Sequence, residues 1–141
     1  MADLKEKLVE ISIRNNISEL AIVSNALEGV GKDLEIPKKV ILQLQVALDE
    51  VLSNIVKYAW PEGQSHALHI RISAREGGVE IIIVDDGESF DPTSYRGPSR
   101  PDSRPKPGGV GLQMIKKLVD VFDYACIDGR NQVTLRKRYA A

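Results

Sequence analysis

The chain reads as an α+β protein, a two-layer α/β sandwich with helices on one face of a mixed sheet. Stretches of alternating polarity joined by tight turns mark strands that are neighbours in sequence. The helical stretches are grouped between those strands. They do not alternate strictly with them, as a doubly wound parallel fold would require.

Val9, Ile11 and Ile13 alternate with Glu10, Ser12 and Arg14, the period-two pattern of a half-buried strand. Ser18 is expected to cap the next element, a helix whose apolar positions are Leu20, Val23, Leu27 and Val30. Gly29 and Gly31 are expected to end it. Pro37 fits the first turn of a second helix, which runs to about Tyr58 and carries the stripe Ile41, Leu44, Leu48, Leu52 and Ile55. Trp60-Pro61-Glu62-Gly63 breaks the chain. Strands follow at Leu68–Ser73 and Val79–Asp85, joined at Glu76-Gly77-Gly78. Residues 86–109 hold Pro92, Pro98, Pro101, Pro105 and Pro107 and no sustained apolar pattern, so a long functional or disordered loop is expected. Helical spacing returns at Leu112, Ile115, Leu118 and Val119. Strands near Val121–Ile127 and Gln132–Arg138, joined by Asp128-Gly129-Arg130-Asn131, close the order.

The chain has 141 residues, enough for one domain with a real core. With 43% hydrophobic and 28% charged residues it has the profile of an ordinary soluble protein. Lys plus Arg is 19 and Asp plus Glu is 20, a net charge of -1, which argues against nucleic acid or a membrane as the main partner. Cys126 is the single cysteine, so no intramolecular disulfide can form. Its apolar neighbours suggest a buried structural thiol. No apolar run approaches a bilayer span and the N-terminal residues lack a signal-peptide core, so a cytoplasmic protein is expected.

Three features could carry chemistry. Glu50 and Asn54 are one helical turn apart and share a face of the long helix. Taken alone they read as a solvated surface, and nearby Lys57 as one more exposed charge. Asp85 ends an apolar row with Ile81 and Ile83, where a carboxylate needs a donor. Asp86 points the other way, and Gly87 could let a ligand approach the backbone. Pro107-Gly108-Gly109-Val110-Gly111-Leu112 precedes a helix, and glycines there leave backbone N–H groups that suit phosphate. No Gly-Lys-Ser/Thr follows, which separates it from a Walker loop, and no strand leads into it. Each feature alone is common, but this set in this order is specific.

With those motifs in place, the sequence resembles the ATP-binding superfamily of the Bergerat fold, which includes type II topoisomerases, histidine kinases and mismatch-repair ATPases. Within it, the chain is similar to the small bacterial anti-sigma factors that act as serine kinases. The likeness lies in ALDEVLSNIVKYAW at 47–60, VDDGESFDP at 84–92, GGVGLQMIKKLVD at 108–120 and NQVTLRKR at 131–138. It spans essentially the whole chain and implies one ATPase domain over residues 1–141, with a lid over ATP at 88–108. By position, it implies that Asn54 coordinates magnesium at the phosphates and that Glu50 is the general base. Asp85 would accept from the adenine amino group, with Gly87 behind it. Gly108, Gly109, Val110, Gly111 and Leu112 would line the phosphates. Ser89 stands where the wider superfamily has a second glycine, a form that resembles the anti-sigma branch. Arg96, Arg100, Arg104 and Lys106 could reach the γ-phosphate.

The resemblance further implies a partner switch, in which the kinase holds a sigma factor and exchanges it for an anti-anti-sigma STAS-domain protein that it phosphorylates. The alternative is a nucleotide-gated module that sequesters its partner without phosphorylating it. His66 and His69 fall at a turn and a strand, so neither is expected to be a phosphoacceptor or metal ligand. Ile81-Ile82-Ile83-Val84 is apolar on both faces, which predicts a homodimer through the sheet or a strand shielded by its neighbours.

Overall fold

Strand β1 (Glu6–Arg14) lies at one edge of the sheet, and two helices, α1 (Leu20–Asp33) and α2 (Lys38–Tyr58), separate it from β2 (Ala67–Arg75). The hairpin β2–β3 (Gly78–Asp85) follows, then helix α3 (Val110–Leu118), then the hairpin of β4 (Val121–Ile127) and β5 (Arg130–Arg138). The computed structural model describes residues 5–94 and 110–140.

The strand order is β1-β2-β3-β5-β4 and every neighbouring pair is antiparallel. The two-layer α+β architecture is as expected from the sequence; the mixed sheet is not. A pair of helices between β1 and β2 returns the chain reversed. Strands β3 and β4 do run the same way across a helical connection, but β5 inserts between them, so no parallel pair forms. Inward-facing side chains make rows across the sheet: Val9, Ile72, Ile81, Leu135 and Phe122 in one, and Ile11, Ile70, Ile83, Val133 and Tyr124 in the next. The α2 stripe of Leu44, Leu48 and Leu52 packs in the same core with Val23 and Leu27 of α1 and Leu112 and Ile115 of α3. Central Ile82 and Val84 face outward and are half-buried, flanked by Arg71 and Thr134 and by His69 and Gln132.

Local details shift several boundaries. Asn16, not Ser18, provides the first cap: its Oδ1 accepts from both the backbone N–H and the hydroxyl of Ser18, ahead of a short 3-10 turn at Ile17–Glu19. Pro37 is extended (φ -53, ψ 136) and stands just before α2, one residue earlier than expected. Gly29 and Gly31 do not end α1. Gly31 serves close packing instead, since a Cβ there would sit 2.7 Å from Ile41 Cγ1. The helix ends at Asp33 with Leu34 as its C-cap, and Glu35 beyond it takes the left-handed conformation at φ 55 while the N–H groups of Glu35 and Ile36 bond back to the carbonyls of Lys32 and Gly31. A non-glycine residue there is strained, so Glu35→Gly should stabilise the fold by about 1 kcal/mol, read as a raised urea midpoint with an unchanged m-value.

Cys126 is exposed, contrary to the buried thiol expected from its neighbours. It lies near the end of the edge strand β4, where only one neighbouring strand covers it. His69 bonds Ser12 across the β1–β2 pair, and His66 bonds Glu62, so both are engaged in ordinary contacts. No helix among the described residues is long and apolar enough to cross a membrane.

Candidate functional site

The C-terminal half of α2, the end of β3, the start of β5 and residues 88–92 enclose a cavity of about 720 Å3. That is within the usual size range of small-molecule sites. Val51, Ile55, Phe90, Leu112 and Val133 supply apolar wall, while Asn54, Lys57, Asp85, Glu88 and Asn131 supply polar groups. Asn54, Asp85 and Leu112 therefore all border one cavity. Lys57, read from the sequence as a bystander, also borders the cavity.

Asp85 is only 4% exposed. Its Oδ1 accepts from the Gly87 N–H at 2.9 Å and from Asn131 Nδ2 at 3.0 Å. No protein donor among the described residues reaches Oδ2, and no fully buried side-chain oxygen or nitrogen there lacks a partner. Oδ2 is thus the atom that meets the cavity. Burial pushes the Asp85 carboxyl above the ordinary range; the Asn131 and Gly87 hydrogen bonds oppose this, and the Asp86 charge adds to it.

Asn131 is the cavity residue that the sequence patterns do not single out. Its position after Gly129 reads as a loop, but the turn is Asp128–Gly129, with φ 52 and 77, and β5 begins at Arg130. Asn131 is 4% exposed and pairs in register with Asp85. Its Nδ2 donates to Asp85 and to the carbonyls of Gly87 and Glu88, and its Oδ1 accepts from the Tyr124 hydroxyl. Burial, then the neighbouring Cys126, push the Tyr124 phenol up, so it remains a donor. The signal was present in the sequence: Asn131, Val133 and Leu135 have period two, which puts Asn131 on the inner face.

Gly87 has a different reason from the one expected. A Cβ at this position would lie 2.5 Å from Ala59 Cβ and 2.6 Å from the Ala59 carbonyl oxygen. The glycine lets the Asp85–Glu88 turn press against the end of α2, and it does not itself line the cavity. Gly87→Ala should cost about 1–3 kcal/mol in chemical denaturation, as overpacking does. Adding Ala59→Gly should restore only part of this, because the carbonyl contact remains.

Asn54 Nδ2 donates to the Glu50 carbonyl at 2.7 Å, which orients the amide. Glu50 is half-buried one turn back along α2 and does not border the cavity. No group of three or more His, Cys, Asp or Glu side chains that could hold a metal occurs among the described residues. Magnesium does not need one, since it is commonly bound through one or two protein oxygens with water and phosphate completing its shell. Val110 and Gly111 open α3. Gly108, Gly109, Arg96, Arg100, Arg104 and Lys106 lie outside the described residues.

The family model of the histidine kinase-like ATPase domain matches residues 13–137. The chain belongs to the histidine kinase-like ATPase family. Among relatives of this ATPase, the serine/threonine-protein kinase BtrW of Bordetella bronchiseptica is 32% identical over 99 residues, covering 69% of this chain and 70% of that protein. The serine-protein kinase RsbW of Oceanobacillus iheyensis is 29% identical over 118 residues, with coverages of 79% and 75%. The Bacillus subtilis RsbW is 27% identical over 118 residues, with coverages of 79% and 74%. A crystal structure of the RsbU and RsbW domains of a Mycobacterium tuberculosis protein aligns with 94% of this chain at a TM-score of 0.63. It is 18% identical, so this likeness concerns the fold, and the chain spans 32% of that solved chain. This histidine kinase-like ATPase thus groups with the RsbW-type serine-protein kinases.

Proposed function

We propose that the chain binds ATP with magnesium and transfers the γ-phosphoryl group to a serine of a protein partner, as an anti-sigma regulator. The observation that carries the nucleotide reading is Asp85: a buried carboxylate, held on one oxygen by Gly87 and Asn131, with the other at an apolar-walled cavity. Such an acceptor suits the amino group of adenine, and Val51, Ile55 and Val133 suit its ring. The Asn54 amide borders the same cavity from α2, where it would meet the phosphate end. The residues present therefore fit ATP and a hard cation. Bound there, ATP with magnesium supplies the phosphoryl group and neutralises much of its charge, so the protein's share is mainly positioning and electrostatics.

In this reading Asn54 holds the cation and the glycine box at 108–111 offers backbone N–H groups to the phosphates. Glu50 orients the incoming serine hydroxyl and takes its proton. A phosphate on the partner adds about -1.5 to -2 of charge, enough to end a fitted interface. The partners are then a sigma factor and an anti-anti-sigma STAS-domain protein, and the site of action is the cytoplasm. Half-buried Ile82 and Val84 on the outer sheet face support a homodimer through that face.

The second reading, a nucleotide-gated module that sequesters its partner, draws on Glu50 lying off the cavity. Incubation with magnesium and γ-labelled ATP, with and without a STAS-domain protein, separates the two. Label on the partner's serine supports the kinase. Tight ATP binding with no transfer supports the module.

A further inference from the structure

Asp85 and Asp86 are successive residues at the end of β3, and their side chains leave on opposite sides. Asp85 faces the cavity. Asp86 turns to the loop after α2, where its Oδ1 accepts from Trp60 Nε1 at 3.2 Å. Two backbone features reinforce this contact. The Glu88 N–H donates to the Ala59 carbonyl at 2.8 Å, and Gly87 lies tight against Ala59. The indole is 8% exposed, so its N–H would be costly without a partner. Its ring stacks on His66 with centroids 4.8 Å apart and planes 6° apart, and His66 is tied to Glu62 by its ring and to Asn15 by its backbone N–H. Trp60 is thus held on both sides.

We infer that Trp60 and Asp86 are positioning residues that set the spacing between the two halves of the nucleotide site. The inference rests on the ATP reading above. Asp85, on the adenine side, belongs to the turn that the clamp holds; Asn54, on the phosphate side, belongs to the helix that ends at the clamp. Neither Trp60 nor Asp86 borders the cavity, so their influence on a nucleotide travels through the relative placement of α2 and the Asp85–Glu88 turn. The two backbone contacts hold these elements together, and the side-chain bond fixes their angle. A ligand that reaches both halves senses that angle, whereas one that occupies only the adenine half does not.

The test compares ATP with magnesium against adenosine, by titration calorimetry on the full chain. Trp60→Phe keeps the stacked ring and removes the N–H; Asp86→Ala removes the acceptor from an exposed position; Asp86→Asn keeps an acceptor. Trp60→Phe and Asp86→Ala should each weaken ATP binding about tenfold. Adenosine affinity should stay within about twofold, and the double variant should be no weaker than either single one, because both remove the same bond. Asp86→Asn should bind ATP like the parent. Should Trp60→Phe fail to fold, the Asp86 pair alone decides the outcome. ATP affinity unchanged in Asp86→Ala, or an equal loss for ATP and adenosine, overturns the clamp and leaves the nucleotide reading standing. A parent chain that binds neither ligand overturns both.

Discussion

Glu50→Gln should cut phosphoryl transfer to the STAS-domain partner by about 10²–10⁴-fold, the usual contribution of a general base. ATP affinity should stay within about twofold, since Glu50 does not border the cavity. Gln matches Glu in size and helix propensity, and the bond from Asn54 goes to the Glu50 backbone carbonyl, a contact the substitution leaves in place. The loss should therefore be chemical and not structural. Single-turnover transfer of labelled phosphate, at ATP concentrations that saturate both proteins, measures it directly. Transfer at the parent rate would remove Glu50 from the mechanism and with it the main residue-level argument for a kinase over a sequestering module.

Asp85→Asn should weaken ATP binding by about 10–100-fold, the cost of losing a hydrogen bond to a charged acceptor. The amide oxygen of Asn can still accept from Gly87 and Asn131. Its NH2 group then occupies the Oδ2 position and faces the adenine amino group, donor against donor. Stability should hold or rise, because Asn carries no charge to desolvate. The direction of the Asp85 shift gives a pH signature as well. Its folded pKa lies above the unfolded value, so its contribution to stability is full below the unfolded value and declines as pH rises through the folded one. ATP affinity follows the opposite course, falling as pH drops through the raised pKa and Asp85 gains a proton. Both dependences should be absent from Asp85→Asn. Calorimetric ATP titrations and urea melts across mildly acidic to neutral pH provide the comparison. An Asp85→Asn variant with parental ATP affinity would mean that the cavity does not hold adenine at this carboxylate.

The elements were legible because their patterns are local. The α2 stripe, the period two of β1 and the Glu76-Gly77 turn state their own conformation, and the structure places all of them where the periodicity does. Boundaries were less legible where packing decides. Gly31 looks like a helix stop, yet α1 continues through it, because what matters there is contact with Ile41 on another helix. Ser18 is a good cap in isolation, but Asn16 reaches its N–H first. Cys126 has apolar sequence neighbours and still meets solvent, since exposure on an edge strand depends on which strands lie beside it.

The same division runs through the site. Glu50 and Asn54 could be placed on one helix face from spacing alone, and Asp85 at the end of an apolar row from alternation. The motif order was specific enough to carry a resemblance to an ATP-binding superfamily, and it is that resemblance which implies a carboxylate acceptor, an amide ligand and glycines at the phosphates. Only the tertiary structure decided what holds them. It put Asn131 beside Asp85 through the β3–β5 register, gave Gly87 its work against Ala59, joined Trp60 to Asp86 and left Glu50 outside the cavity. Those relations connect residues far apart in the chain. They depend on strand order and helix approach, which local patterns of polarity do not encode.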